Sequence, residues 1–328
     1  MDAAQPVHLA VDAFNLAADR RGMGRLVRQT LRELHAFNEV RVRLVARPQH
    51  IDALRREFDV AVVTPGALRT GEIDAVWYPW NAMRFAPHAA AIVTIHDPFA
   101  FMFAHRNLIA RLREQLPIRR AIRQADRIFA VSHWTAGELE RRFGIDPMRM
   151  RIVPNAPDRF WYPVPGARLR PYMFVLSSPE PRKNIGMLLR AYAQAFDEQG
   201  PELVIAGDLS AADAILLRNV RAPHSRIHAE DEELRRLYSG AIAVLVPSLA
   251  EGFGLPAVEA MACQAAVVAS NTTALPETCG DAALLVDPGV ALWSRALREI
   301  AQSQDLRCRL RAAAKAHAAS MDPAGPAK

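Results

Sequence analysis

Short apolar runs recur along the chain, most of them followed by a stretch of helical character, and the scheme is gone through twice. In the first half, residues 8–11, 40–46, 60–63, 75–78, 91–95 and 127–131 read as buried strands, with helices over 24–37 and 136–143 among others. In the second half, 172–176, 202–206, 241–246 and 265–270 read as strands, and 185–198, 232–238, 256–263 and 292–318 as helices. Alternation of this kind builds parallel sheets with helices on both faces. The expected fold class is therefore α/β, with doubly wound sheets that bind ligands at the carboxyl ends of their strands.

At 328 residues the chain is long for one core, and two domains are the natural division. The stretch 154–166 holds four prolines, which exclude a regular element, so it reads as the linker. Its aromatics Phe160, Trp161 and Tyr162 argue that it packs against the domains. The expected domains are 1–160 and 161–328. Cys263, Cys279 and Cys308 have no metal-ligand spacing and cannot all pair, which fits a reducing cytoplasm. The opening Met1-Asp2-Ala3-Ala4-Gln5-Pro6 has no basic or apolar region of a secretory signal. No apolar stretch approaches the ~20 residues of a membrane span. The chain is thus expected in the cytoplasm, or peripheral on the inner face of its membrane.

The net charge of +6 is unevenly placed. Arg106, Arg111, Arg113, Arg119, Arg120, Arg123 and Arg127 cluster against only Glu114 and Asp126, with Leu108, Ile109, Leu112, Leu116, Ile118 and Ile122 interleaved at roughly helical spacing. Such a basic amphipathic helix suits an anionic membrane surface, and it also suits an ordinary solvated helix face. Nucleic acid is not expected, because no aromatic residues interleave with these arginines and no binding motif accompanies them.

Residues 247–259 carry the most chemistry: Pro247-Ser248-Leu249-Ala250-Glu251-Gly252-Phe253-Gly254-Leu255-Pro256-Ala257-Val258-Glu259. An apolar run feeds a Gly-rich turn that opens a helix, with one carboxylate on each side. Gly252 and Gly254 allow close backbone approach or a positive φ. Pro256 suits the first helical position, and free N–H groups at the helix start attract anions. Glu251 is expected in the loop and Glu259 within the first helical turn. This suits a nucleotide sugar, with hydroxyls at both ends and phosphate between. Spacing alone also allows a plain strand-turn-helix whose early Glu complements the helix dipole.

Pro181-Arg182-Lys183-Asn184 follows the first strand of the second half and opens another helix. Cations sit poorly against the positive end of a helix dipole unless an anion joins them, so this segment points to a diphosphate. His96-Asp97 ends an apolar strand, where His96 serves as a hydrogen-bond donor, is oriented by Asp97, or is simply structural. Asp12-Ala13-Phe14-Asn15 and the loop Arg20-Arg21-Gly22-Met23-Gly24-Arg25 follow the first strand. Gly22 and Gly24 lack the third glycine of a dinucleotide fingerprint, so a nicotinamide site is rejected. There is no Asp-x-Asp pair to carry a divalent metal, and no cofactor or metal is expected.

Together, residues 247–259, Arg182-Lys183-Asn184, Leu234-x-x-Leu237-Tyr238 and the run 271–288 resemble glycosyltransferase family 4. Val11-Asp12, Gly22-Met23-Gly24-Arg25, Thr94-Ile95-His96-Asp97 and Val131-Ser132 match in the first half. The set most resembles the bacterial mannosyltransferase-like branch that builds surface polysaccharides. The resemblance implies a GT-B fold, two Rossmann-like domains facing across a cleft, with the acceptor on the first and the nucleotide sugar on the second. It implies retention without a metal. Arg182 and Lys183 would hold the diphosphate, Glu251 the sugar hydroxyls beside Gly252, Phe253, Gly254 and Leu255, and Glu259 the ribose. Gly22 and Gly24 would border the phosphates and His96 would face the donor sugar, with Asp97 and Asn15 on the acceptor side.

The chain departs from the family pattern at Ala156, where glycine is usual, in the short segment Arg226-Ile227-His228-Ala229, and at an end that lacks a longer aromatic-containing segment. The expected function is transfer of a hexose, mannose by branch resemblance and hence from GDP-mannose, to a glycan or lipid-linked acceptor. A non-catalytic GT-B scaffold or sensor subunit and a sugar-nucleotide epimerase stay open as alternatives.

Overall fold

The apolar runs become strands that pair in parallel throughout the computed structural model, which describes residues 5–20, 22–68, 71–86, 89–103, 107–166 and 171–321. The first sheet comprises β1 (Val7–Asp12), β2 (Val40–Val45), β3 (Ala61–Val63), β4 (Ala75–Tyr78), β5 (Ala90–Ile95), β6 (Arg127–Ala130) and β7 (Met150–Ile152). Its order is β3-β2-β1-β4-β5-β6-β7. The second comprises β8 (Tyr172–Ser177), β9 (Glu202–Gly207), β10 (His224–Ile227), β11 (Ala243–Val246), β12 (Val267–Ser270) and β13 (Ala283–Val286), in the order β10-β9-β8-β11-β12-β13.

In both sheets the chain runs outward in one direction and then returns to the middle to run outward in the other. The reversal lies between β1 and β4 in the first sheet and between β8 and β11 in the second. Loops at the carboxyl ends of strands diverge at such a point and leave a crevice. The register there is regular: Ala243 pairs with Met173 and Leu245 with Val175.

Each sheet carries a buried core on each face. In the second, Met173 and Val175 pack with Leu188, Tyr192 and Trp293 on one side, while Phe174 and Val244 pack with Tyr238, Ala257 and Met261 on the other. In the first, Val76, Val93 and Ile128 face Ile122 and Leu139, and Val11 and Leu44 face Val27, Leu31 and Leu54. The chain divides into two compact units, the first running to Asn155 and the second opening at Ala156. The linker aromatics pack on the second unit. The Arg235 guanidinium lies 4.0 Å from the Tyr162 ring centre and 4.7 Å from that of Phe160, and Trp161 meets Tyr238 edge-on.

Several elements differ from the sequence reading. The helix expected over 292–318 is two, Val290–Gln302 and Gln304–Ser320, because Ser303 is extended and its side chain accepts the Leu306 N–H, capping the second. The short strands β7, β10 and β13 were not foreseen. Arg127 opens β6, as the strand reading of 127–131 expects, and the basic helix spans Leu108–Gln124. Arg21, His105, Arg106 and the terminal residues 322–328 lie outside the described residues.

Candidate functional site

The two loops that flank the β8–β11 reversal are stitched together by their backbones. The loop after β8 ends in a single 3-10 turn, Pro181–Lys183, and Asn184 then takes φ 55° to open the helix Ile185–Ala195. The Leu249 N–H donates to the Arg182 carbonyl at 2.7 Å, and Asn184 Nδ2 donates to the Pro247 carbonyl at 3.2 Å. This fixes residues 247–251 against 182–184.

Three charges converge where the loops meet. Lys183 Nζ lies 2.7 Å from Glu251 Oε1, and Arg182 Nη1 lies 3.2 Å from Glu251 Oε2. Ser248 Oγ donates to Glu251 Oε1 at 2.7 Å, and the Glu251 N–H donates to Thr273 Oγ1 at 3.0 Å. Arg182 also bonds the exposed carboxylate of Glu180 at 2.7 Å. Glu251 is buried. Burial opposes its charge, but Lys183 and Arg182, with hydrogen bonds from Lys183 and Ser248, outweigh that and hold its carboxyl below the usual range. The anion that two cations at a helix start require is thus already present, as a side chain of the protein.

Beyond Glu251 the turn tightens. Gly254 adopts φ 104°, and a Cβ there would stand 2.7 Å from Leu275 Cδ2, so only glycine fits. Gly252 and Phe253 are buried and Leu255 is half-buried. The helix Leu255–Ala262 starts at Leu255, so Pro256 is its second residue and Glu259 lies in the second turn, one place later than the motif predicts in each case. Glu259 is buried, with the Tyr238 hydroxyl 3.5 Å from its Oε2.

In the first unit the predicted residues follow β1 and β5. Gly22 takes φ 47° at the start of the helix Met23–His35. The Gly24 N–H is bonded at 3.1 Å by Asp19 Oδ2, and a Gly24 Cβ would stand 2.0 Å from the Asp19 carbonyl. Asn15 is half-buried, and its carbonyl accepts from Ala18 and Asp19. His96 is buried with its Nε2 2.9 Å from the Pro79 carbonyl. That contact puts the ring proton on Nε2, so the remaining nitrogen accepts rather than donates. Burial lowers the His96 pKa, against the opposing pull of the Pro79 carbonyl, so the ring is neutral. Asp97 Oδ1 accepts the Phe99 N–H at 3.0 Å, just ahead of the short helix Phe99–Met102.

Sequence reasoning missed the residues that hold these loops. Ser248, Thr273 and Asn184 lie inside the motifs but carry no charge, so nothing in the sequence gave them a role of their own. Arg28 is a cation on the apolar face of Met23–His35, which is a signal in itself. It is buried, pairs with Glu57 and bonds the carbonyls of Leu16, Asp19 and Gly24, cinching the loop that bears Gly22 and Gly24.

Comparison with known proteins agrees with this architecture. Residues 20–159 match the model "Glycosyltransferase Family 4" and residues 167–317 match "Glycosyl transferases group 1". The chain is 32% identical over 226 residues to O-antigen chain mannosyltransferase B of Escherichia coli, covering 62% of this chain and 59% of that protein. It is 30% identical over 187 residues to the MMP alpha-(1->4)-mannosyltransferase of Mycolicibacterium hassiacum, covering 52% and 44%. The chain therefore spans less than two thirds of the length of either relative. Among solved structures it resembles WaaG, a glycosyltransferase involved in lipopolysaccharide biosynthesis, with a TM-score of 0.73 at 13% identity over 96% of both chains. It also resembles Anabaena HepE in complex with UDP and glucose, with a TM-score of 0.71 at 15% identity over 97% and 96%. On these matches the chain belongs to the family 4 glycosyltransferases and has the two-domain GT-B fold.

Proposed function

We propose that the protein transfers a hexose from a nucleoside-diphosphate sugar to a glycan or lipid-linked acceptor in surface-polysaccharide or lipopolysaccharide assembly, with retention and without a metal ion. The observation that carries this reading is the Arg182–Glu251–Lys183 cluster beside the reversal of the second sheet. The mannosyltransferase relatives favour mannose and hence GDP-mannose as donor, and the HepE complex is that of a GT-B protein with UDP and glucose.

On entry the diphosphate would take over Arg182 and Lys183 from Glu251. The carboxylate, released from its cations, would accept hydrogen bonds from sugar hydroxyls beside Gly252, Phe253, Gly254 and Leu255. Glu259 would hold the ribose, Gly22 and Gly24 would border the phosphates, and the open nitrogen of His96 would accept from a donor-sugar hydroxyl. Asp97 and Asn15 would serve the acceptor side. As the glycosidic bond breaks, negative charge grows on the leaving phosphate, and fixed cations stabilise it more than they stabilise the bound donor. Two cations supply the neutralisation that a divalent ion would otherwise provide. The acceptor hydroxyl would attack from the face the phosphate leaves and pass its proton to it.

Calorimetric titration with GDP, UDP, ADP and TDP, repeated on two variants, tests this reading. Lys183→Ala should weaken nucleotide binding and lower turnover about 10²–10³-fold. Glu251→Gln removes a competing charge, so it should tighten nucleoside-diphosphate binding about tenfold while transfer falls. Near-normal transfer by both variants would overturn the site assignment, and weaker nucleotide binding in both would make the cluster structural.

A further inference from the structure

The carboxyl ends of β8, β9 and β10 lie side by side on one flank of the second sheet's reversal. Gly207 ends β9 with φ 105°, and a Cβ there would stand 2.3 Å from the Ser177 carbonyl oxygen. Only glycine lets the end of β9 press this closely on the end of β8. The Ser177 hydroxyl then donates to the Asp208 carbonyl at 2.7 Å. These contacts fix the backbone that carries the Asp208 side chain.

The fold makes little use of that carboxylate. Glu180, Glu232 and Glu251 each pair with an arginine or lysine, whereas among the described residues neither cation pairs with Asp208. Its neighbour is His228, the first residue after β10, with Nε2 4.0 Å from Asp208 Oδ1. That is too long for a hydrogen bond, and the two side chains are 67% and 80% exposed. A carboxylate and an imidazole thus stand next to each other at the carboxyl edge of the sheet with their polar ends open to a ligand.

Their place relative to Arg182 and Lys183 decides which part of a nucleotide they would meet. Neighbouring strands lie about 4.8 Å apart, so the ends of β9 and β10 stand one and two such steps from the loop after β8. The Tyr238 hydroxyl beside Glu259, the proposed ribose ligand, belongs to the helix Asp231–Gly240, which β10 leads into through His228. A nucleotide held by its diphosphate and ribose in this way turns its base toward Asp208 and His228. An ionised carboxylate only accepts hydrogen bonds, and the carboxylate beside the imidazole favours a proton on Nε2, which then donates. Guanine presents the acceptor O6 followed by two donors, N1–H and the 2-amino group. Adenine offers one amino group beside an acceptor nitrogen, and uracil and thymine offer one N–H between two carbonyl oxygens, which a carboxylate repels. A donor next to a two-oxygen acceptor therefore complements guanine alone among the four.

We infer that Asp208 and His228 read the base of the donor nucleotide and select guanine, an assignment that rests on the diphosphate reading of Arg182 and Lys183. Asp208 accepts from N1–H and the 2-amino group, and His228 Nε2 donates to O6. The test is calorimetric titration of the whole chain with GDP, UDP and inosine diphosphate, which keeps O6 and N1–H but lacks the 2-amino group. The wild type should bind GDP about tenfold or more tightly than either of the others, the worth of a hydrogen bond to a charged group. Asp208→Ala should abolish the difference between GDP and inosine diphosphate while binding UDP no more weakly than the wild type, which shows that it is folded with its cations in place. His228→Ala should weaken GDP and inosine diphosphate alike, by about threefold to tenfold, and leave UDP unmoved. Equal binding of GDP and inosine diphosphate by the wild type, or a preference that survives Asp208→Ala, would overturn the base assignment and leave the diphosphate site standing. A GDP preference lost in Asp208→Ala, with full nucleotide affinity in Lys183→Ala, would keep the base assignment and remove the diphosphate site.

Discussion

Asp12 ends β1 with its side chain wholly buried, and only one of its carboxylate oxygens has a hydrogen bond, from the Phe14 N–H at 3.0 Å. Burial raises its pKa from an ordinary 3.8 to about 6, against the opposing pull of that N–H and of Arg84 and Arg47. A carboxyl raised in the folded state adds stability below its unfolded pKa and loses it as pH rises through the folded one. Asp12→Asn should therefore stabilise the protein by about 1–3 kcal/mol above pH 7, with a much smaller effect below pH 4. Urea unfolding of both proteins at the two pH values measures this, and an identical difference at both would show that Asp12 does not titrate in this range. Residues with a conspicuous type and frame were legible in the sequence, as Arg182-Lys183 at a helix start and Glu251 between Pro247 and Gly252 show. That one carboxylate answers both cations was not, because the partners lie 68 and 69 positions apart and meet only through the order of β8 and β11.

At the level of elements, central strands announced themselves, and so did the edge strand β3, while the edge strands β7 and β10 did not. β8 and β11 are apolar runs buried on both faces, whereas β10 carries His224 and Arg226 in the open and β7 exposes Arg151. An edge strand needs fewer apolar residues because only part of it is covered, so its composition reads as loop. The break at Ser303 was hidden for another reason. The flanking residues keep a helical pattern through it, and one capping hydroxyl decides where the chain turns. Ser303 closes Val290–Gln302 and accepts the Leu306 N–H at 3.1 Å. Ser303→Ala should cost about 1 kcal/mol, the worth of an N-cap, while Ser303→Asp should keep most of it. Chemical denaturation of the two variants separates a capping role from mere exposure of the site. Equal stability of Ala and Asp would remove the cap as the cause of the break.

For the whole molecule, the closure of each unit around its own cores has a thermal consequence. None of the four buried clusters draws residues from both sides of Asn155, so each unit satisfies the condition for unfolding as its own cooperative step. The ion-pair cluster proposed to receive the diphosphate lies wholly within the second unit, between β8 and β11 and the helices that follow them. A nucleoside diphosphate held there at a hundred times its dissociation constant stabilises that unit by about 2.7 kcal/mol. For a unit of this size the shift is about 5–10 °C. Scanning calorimetry should therefore resolve two transitions, of which the nucleotide raises that of the second unit by this amount and that of the first, which offers the phosphates only Gly22 and Gly24, by much less. Lys183→Ala should abolish the larger displacement. If nucleotide raised both transitions equally, or raised that of the first unit alone, the Arg182–Glu251–Lys183 cluster could not be the main seat of the diphosphate.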